Sequence, residues 1–506
     1  MGAGIGWGPR VGLAVMAAWA TLAGARQPGA GHAADPPAAP DVRAMIASAV
    51  GYLRGAQDPA SGGWGVPPGP GTPRFPAITG LVLRGMIENG SVSADDAAVR
   101  RGVAFVLSFR QKDGGIYDRV LPSYNTAICL SLLTRLRDPE ARAAIEPAAR
   151  FLRSLQFGED AVTHGGTGES ARPVERAHAF YGGVGYGRSG RPDLSNTAFF
   201  LEALRDAGVE GNDPAVRRAL VFLQRLQMSE RVNDQPYAAG STQGGFIYAT
   251  SASGEAAGGG QSFAGEVAES LSGPPGLAAR VRLGTRDGKP RTLDRAEVER
   301  RIGDAAGASS MAALRGLGDR FMVLLGPTPD GAQSGVFEVR AALADKGDLE
   351  ELLRAALGGD VEVLEVEAVS AWRGVSRLRA YGSMTYAGFK SYLYADLSRT
   401  DPRVVSALGW ISRHYTLDEN PGLGTEGLYY YYLTLARAMA AWGMDRVEVH
   451  GPGGPERRDW ARDLVAKLSR LQRPDGSFTP VDDRWMENDP VLITAYALIA
   501  LQQAAR

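Results

Sequence analysis

One unit recurs along this chain, and it fixes most of what the chain can fold into. "VGYLRGAQDPASGGW" ends at Trp64, "VAFVLSFRQKDGGIY" at Tyr117 and "VAKLSRLQRPDGSF" at Phe478. "ARFLRSLQ" and "ALVFLQRLQ" end at Gln156 and Gln227, with "GGVGYG" and "QGGFIY" following. A looser copy, "ALGWISRHYTLDENPGLG", has Tyr415 where the others have Gln. Each copy leads into a second, more apolar run: "PAITGLVLRGMI", "YNTAICLSLLTRL", "LSNTAFFLEALRDAG", "SMTYAGFKSYLYADL", "TEGLYYYYLTLARAM" and "NDPVLITAYALIALQQA". Six helix–loop–helix units must stack, because a lone helical hairpin cannot bury its apolar faces.

The first helix of each unit mixes polar with apolar residues, as in Arg217, Arg218, Gln224 and Arg225. That suits a half-solvated outer helix. The second is apolar over more of its circumference and suits an inner one. The spacing therefore predicts a mainly α fold, a single (α/α)6 toroid. Closure is expected over an open superhelix, because neither end unit looks like a polar cap. In the loops, Gly turns the chain, the aromatic plugs the space between helices, and the repeated Gln can bond carbonyls left open at a helix end.

Unit four is interrupted. "ARVRLG", "RFMVLLG", "GVFEVRAAL" and "DVEVLEVEAV" read as strands, "LDRAEVERRIGDAA" and "DLEELLRAAL" as helices. The expected division is toroid over 41–262, a small inserted α+β domain over 263–376, and toroid again over 377–506. The insert should rise from the rim where outer helices hand over to inner ones, as a lid, as a docking module for an envelope protein, or as a tolerated surface insertion. Ahead of the toroid, Arg10 and the apolar "VGLAVMAAWATLAGA" read as an export signal over 1–25, with a Pro-rich linker over 26–40. A retained N-terminal anchor is the alternative. The signal implies a periplasmic or extracellular protein.

The formal net charge is −1, so nothing global points to nucleic acid. Cys129 is the only cysteine and reads as a small buried hydrophobe. His164, His178, His414 and His450 are scattered without metal-ligand spacing; no metal and no cofactor is expected. Gly185, Gly187 and Gly190 spell G-x-G-x-x-G without a preceding strand, so they read as a repeat turn. A ligand site belongs at the starts of the inner helices, which face the central hollow with unpaired N–H groups. Candidates are Tyr124, Asn125, Asp193, Ser195, Asn196, Tyr381, Ser383, Tyr386, Glu426, Tyr429, Tyr430, Asn488 and Asp489. Helix capping alone would explain several of them, Asp193, Ser195 and Asn488 among others. At most two tyrosines of the "YYYY" run can face the hollow.

"RRALVFLQRLQ" and "VGYLRGAQDPASGGW" resemble the glutamine–tryptophan repeats of squalene-hopene and oxidosqualene cyclases, and the six-pair toroid is similar to that of protein prenyltransferase β subunits. The resemblance runs from about Asp41 to Arg506, insert excluded. It implies a toroid of the terpenoid-cyclase and prenyltransferase superfamily. "DLSNTA", Asp193 to Ala198, is similar to the D-x-D-D-T-A segment whose middle aspartate starts cyclisation in those enzymes. Here that position is Ser195, its partner is Asn196, and Asp193 alone is kept. Neither a hydroxyl nor an amide can protonate an alkene near neutral pH. Cys129 is not in the D-x-C pattern of the zinc-dependent transferases. The resemblance therefore implies an apolar or isoprenoid-like ligand without proton-initiated cyclisation or zinc prenyl transfer; any remaining enzyme would be isomerase- or transferase-like. A carbohydrate-active (α/α)6 enzyme using Asp193, Glu426 or Asp489, and a non-enzymatic envelope scaffold, are the other readings the residues allow.

Overall fold

The computed structural model describes residues 40–65, 71–159, 173–187, 191–238, 240–250, 260–265, 276–283, 295–315, 317, 321–324, 336–341, 343–369, 378–451 and 454–506. The expected export signal and all but the last residue of the expected linker lie outside these, as do His164 and Gly190.

Six outer helices carry the amphipathic runs: α1 (Val42–Gly55), α3 (Ala97–Leu107), α5 (Pro139–Ser154), α7 (Pro214–Leu226), α12 (Pro402–His414) and α14 (Trp460–Leu471). Six inner helices carry the apolar runs: α2 (Pro76–Ile87), α4 (Pro122–Leu133), α6 (Leu194–Asp206), α11 (Gly382–Tyr394), α13 (Leu428–Trp442) and α15 (Pro490–Ala504). α2 packs on α4, α4 on α6, α6 on α11, α11 on α13, α13 on α15, and α15 returns to α2. The ring is closed, as the apolar end units required.

Every outer helix starts at an aspartate that accepts a backbone N–H of the first turn: Asp41, Asp96, Asp138, Asp213, Asp401 and Asp459. The repeated Gln works differently from expectation. At four of its five positions the amide bonds one carbonyl in its own Gly loop and one near the start of the next outer helix; Gln111 instead bonds Phe109 and Tyr117 of its own unit. Gln57 reaches Ala98, Gln156 reaches Ala215, and Gln227 reaches Arg403. Gln472 reaches Met45 at 2.9 Å and so joins the last unit to the first. Tyr415, in the Gln position, still spans the joint by bonding Asp463 on α14.

The loops then press on the neighbouring outer helix. At Gly182 (φ +84°) and Gly476 (φ +89°) a Cβ would fall 1.8 Å from the Arg218 carbonyl and 2.1 Å from the Ser48 carbonyl. Only glycine fits there. A second repeat feature is a threonine one turn into the inner helix. Thr79, Thr126, Thr197, Thr385 and Thr494 each accept the N–H of a loop residue, respectively Trp64, Ile116, Val184, Phe246 and Phe478.

The interruption of unit four is an α+β insert. Strands β1 (Gly276–Leu283), β2 (Phe321–Leu324), β3 (Val336–Ala341) and β4 (Val361–Val369) form an antiparallel sheet in the order β2-β3-β1-β4. With α8 (Arg295–Ala308), the short α9 (Ala312–Arg315) and α10 (Lys346–Leu357) the chain runs β-α-β-β-α-β, a split β-α-β arrangement. It has a core of its own, in which Ala279, Val281, Val298, Phe337, Val339 and Leu352 are buried together. The register sets Arg280 opposite Glu365 and Arg282 opposite Glu362, all four exposed, so the face away from that core is charged. One further hairpin, β5 (Arg446–Gly451) with β6 (Gly454–Asp459), joins α13 to α14.

Candidate functional site

The N-terminal ends of the inner helices surround a cavity of about 240 Å³. All six contribute: Ile78 from α2, Tyr124 from α4, Ser195 and Phe199 from α6, Ser383 and Met384 from α11, Tyr430 from α13, Leu492 and Tyr496 from α15. Phe75, Leu121, Tyr186, Tyr248, Phe263, Tyr381, Trp485, Met486 and Glu487 complete the wall from the loops. The lining is aromatic and aliphatic with a few polar groups, the usual character of a small-molecule site.

The mouth is tied to the insert. Phe263 precedes the insert and Tyr381 follows it, and both line the cavity. Arg379 N–H donates to the Gly265 carbonyl at 3.1 Å, and Gln243 bonds both the Leu378 carbonyl and the Ala380 N–H. The insert therefore leaves the ring at the rim expected from the order of the repeats. Trp485 (φ 54°) and Met486 (φ 66°) sit at the mouth in the left-handed region, large residues held where side chains are strained. Trp485 packs 5.6 Å from Phe263, and the Arg484 guanidinium lies over both rings.

Of the residues proposed from sequence, Tyr124, Ser195, Tyr381, Ser383 and Tyr430 line the cavity. The others do not, for local reasons. Asn125 is fully buried and caps α2, accepting Ala77 N–H at 3.1 Å. Tyr386 is buried against Tyr431. Tyr429 donates to the Thr479 carbonyl at 2.6 Å, and Tyr431 and Tyr432 to the carbonyls of Thr416 and Leu417. Only one tyrosine of the run thus faces the hollow. Glu426 pairs with Arg484. Asp489, not Asn488, caps α15.

Asp193 stands one layer behind the lining. It caps α6 and accepts Ser195 Oγ at 2.7 Å, Asn196 N–H at 2.9 Å and Asn196 Nδ2 at 2.7 Å. Burial pushes its carboxyl above the ordinary range, against those hydrogen bonds. Ser195 thus stands between the acid and the cavity. Thr197 and Ala198 of "DLSNTA" belong to the repeat, since other units place a threonine identically.

The carboxylate on the wall is one that sequence reading passed over. Glu487 is 1% exposed and accepts Tyr429 N–H at 3.0 Å and Tyr430 N–H at 2.8 Å. It supplies the cap that α13 lacks, since α13 begins at Gly427 with no side chain of its own to offer. Burial raises it to about 7, against the two N–H bonds that favour its anion. No local signal in "RWMENDP" distinguishes it from Asp489; only the ring places it against α13.

Among the described residues no three His, Cys, Asp or Glu come together as metal ligands. His178 accepts Phe180 N–H at its Nδ1, a structural bond. No described helix is long and apolar enough to cross a membrane.

Comparison with known proteins agrees with the repeats. Residues 72–250 match the profile of the squalene-hopene cyclase C-terminal domain. No curated protein matches the chain. Among solved structures, a protein from Actinoplanes is 17% identical over 80% of this chain and 98% of its own, with a TM-score of 0.28. The type II terpene cyclase MstE from Scytonema is 12% identical over 92% of this chain and 98% of its own, with a TM-score of 0.27. A variant of that enzyme bound to its substrate, geranylgeranyl dihydroxybenzoate, is 12% identical over 85% and 99%, with a TM-score of 0.26. Likenesses this distant bring no ligand or activity with them. Over residues 72–250 the chain is similar to the squalene-hopene cyclase C-terminal domain, and its helices form the closed α/α toroid that its repeats call for.

Proposed function

We propose that this protein binds an apolar, isoprenoid-like molecule in the axial cavity, without the proton-initiated cyclase or zinc prenyltransferase chemistry of the proteins it resembles. The observation that carries this is the cavity itself: six inner helices converge on a wall of tyrosine, phenylalanine and aliphatic side chains. A cavity of 150 Å³ holds benzene, so about 240 Å³ holds roughly ten carbons. Ser195 and Asn196 stand where the cyclase acid and its partner would be. Glycoside cleavage would need two carboxyls facing the substrate; among the lining residues Glu487 is the one carboxylate. Extraction of the protein purified from its native host, followed by mass spectrometry, should release an apolar compound. Reproducible absence of one would contradict the reading.

The N-terminal run makes export part of the proposal, to the periplasm or the outside of a bacterial cell. N-terminal sequencing of the mature protein should begin beyond Ala25; a start at the first residues would oppose it. The insert at the mouth serves in this reading as a lid or a dock for an envelope protein. Removal of residues 266–375 should then change ligand affinity or partner capture, and a change in neither would oppose both roles.

A further inference from the structure

The axial cavity is apolar in its bulk, yet six of the side chains that line it are tyrosines: Tyr124, Tyr186, Tyr248, Tyr381, Tyr430 and Tyr496. A buried phenol usually finds a hydrogen-bond partner. Four of these meet in pairs. The Tyr124 and Tyr496 hydroxyl oxygens are 3.5 Å apart, and those of Tyr186 and Tyr248 3.4 Å. The other polar groups of the wall are engaged as well. Ser195 gives its proton to Asp193, and Glu487 accepts the N–H groups of Tyr429 and Tyr430.

Three hydroxyls are left over. Tyr381 is 2% and Ser383 3% exposed, and Tyr430 is half-buried. Among the described residues neither the Tyr381 nor the Tyr430 hydroxyl has a hydrogen-bond partner, and both side chains line the cavity. The Ser383 oxygen accepts Asn420 Nδ2 at 3.2 Å, which leaves its own proton without an acceptor among the described residues. All three sit on one side of the ring. Tyr381 and Ser383 stand at the start of α11 and Tyr430 in the first turn of α13, and these helices are neighbours. Burial holds both phenols well above their ordinary pKa, with Tyr430 adding to the effect at Tyr381, so both keep the proton they would donate. A bare hydrocarbon in the cavity would leave these donors unpaired.

We propose that Tyr381, Ser383 and Tyr430 form an oxygen-binding corner, and that the ligand is an isoprenoid-like ketone or aldehyde of roughly ten carbons whose carbonyl oxygen accepts their protons. This rests on the apolar-ligand reading above and gives that ligand its one polar atom. A carbonyl oxygen has two lone pairs and no proton, so it takes two of these donors and brings no donor of its own. An alcohol brings a further proton, and the carboxylates at the wall, Asp193 and Glu487, already accept N–H and O–H groups of the protein. An acidic ligand is disfavoured, because no Lys or Arg is among the lining residues.

The test is calorimetric titration of the whole protein at neutral pH with three probes of one carbon skeleton: carvone, a ketone; carveol, the alcohol; and limonene, the hydrocarbon. Carvone should bind at least tenfold tighter than limonene, and tighter than carveol. In the double variant Y381F/Y430F, which removes two hydroxyls and keeps the rings, the carvone-to-limonene ratio should fall below threefold. A ratio below tenfold in the unaltered protein would mean that water alone occupies the corner, and would overturn the proposal. So would a ratio still above threefold in the double variant, or carveol binding tighter than carvone. Failure of carvone and limonene alike would instead overturn the cavity reading on which the corner rests. Should the variant not fold, infrared spectroscopy of carvone on the unaltered protein decides. The bound carbonyl stretch should lie below its position in hexane; an unshifted stretch would overturn the corner.

Discussion

The carboxylate of Glu487 accepts the backbone N–H of Tyr430 at 2.8 Å, and that of Tyr429 at 3.0 Å. A residue just ahead of the sixth inner helix thereby caps the fifth. Asn125 does the same for α2 at Ala77, and Asn420 for α11 at Ser383. Caps passed between neighbouring units couple the inner ring just where the cavity opens.

Glu487 makes stability depend on pH with an unusual sign. Its folded pKa, about 7, lies above the ordinary glutamate value, so between about pH 4.5 and 7 the folded chain holds a proton that the unfolded chain has lost. Folded stability should therefore fall as pH rises through that window, by about 3 kcal/mol in all from this group. In Glu487→Gln that slope should vanish, while at pH 4.5, where Glu487 is itself a neutral acid with one clean carbonyl acceptor, the variant should stay within about 1 kcal/mol of the unaltered protein. Urea unfolding across pH 4.5–8 checks this; an unchanged slope would count against a buried, titrating Glu487.

The seam between the last and first units should be sensitive to a single methyl group. Gly476 has φ +89°, and a Cβ there would meet the Ser48 carbonyl at 2.1 Å. Gly476→Ala should cost at least about 2 kcal/mol, from backbone strain and from moving the loop off α1. Gly359, with open space around its Cβ position, should accept alanine within about 0.5 kcal/mol. Equal unfolding midpoints for the two variants would mean that the seam bears no load.

Glu202 holds three cations in the interior, Arg84, Lys390 and Arg437. Burial would raise its carboxyl, but Arg437, Lys390 and Arg84 outweigh burial and hold it well below the ordinary range. Glu202→Gln should lower stability by about 3–5 kcal/mol, because it leaves buried charges without their partner. Thermal unfolding measures it; a loss under about 1 kcal/mol would mean water or anions already reach these cations.

Purified protein incubated with squalene should give no cyclic product. The Ser195 hydroxyl is no acid, and Asp193 is screened from the cavity by it. The double variant S195D/N196D should also fail, because a triterpene is far longer than the roughly ten carbons that the cavity takes. A cyclised product from either, by gas chromatography and mass spectrometry, would overturn both points.

Much of the architecture was legible because it is written six times. Periodic apolar runs, Gly loops and aromatics gave helix pairs and their order, and the end units gave closure. The strands of the insert were legible from alternation. Partners brought together by the ring were not. Gln57 and Gln472 look like local caps in sequence, yet they reach Ala98 and Met45 in neighbouring units. Asn125 and Asp489 lie beside the mouth in sequence but are committed to helix ends. Glu487, Tyr186 and Phe263 reach the wall from loops whose conformation no repeat dictates. The charged cluster was hidden for a further reason: Glu202, Lys390 and Arg437 come from three different units and share no motif.

The proposed apolar ligand sits in the hollow ringed by the inner helices. This placement is tested most directly by titrating the protein with geraniol, followed calorimetrically, beside Ser383→Trp, which places an indole in the same space. The unaltered protein should show a saturable single site and the filled variant none, with both folded by circular dichroism. No binding to the unaltered protein, or equal binding to both, would contradict it.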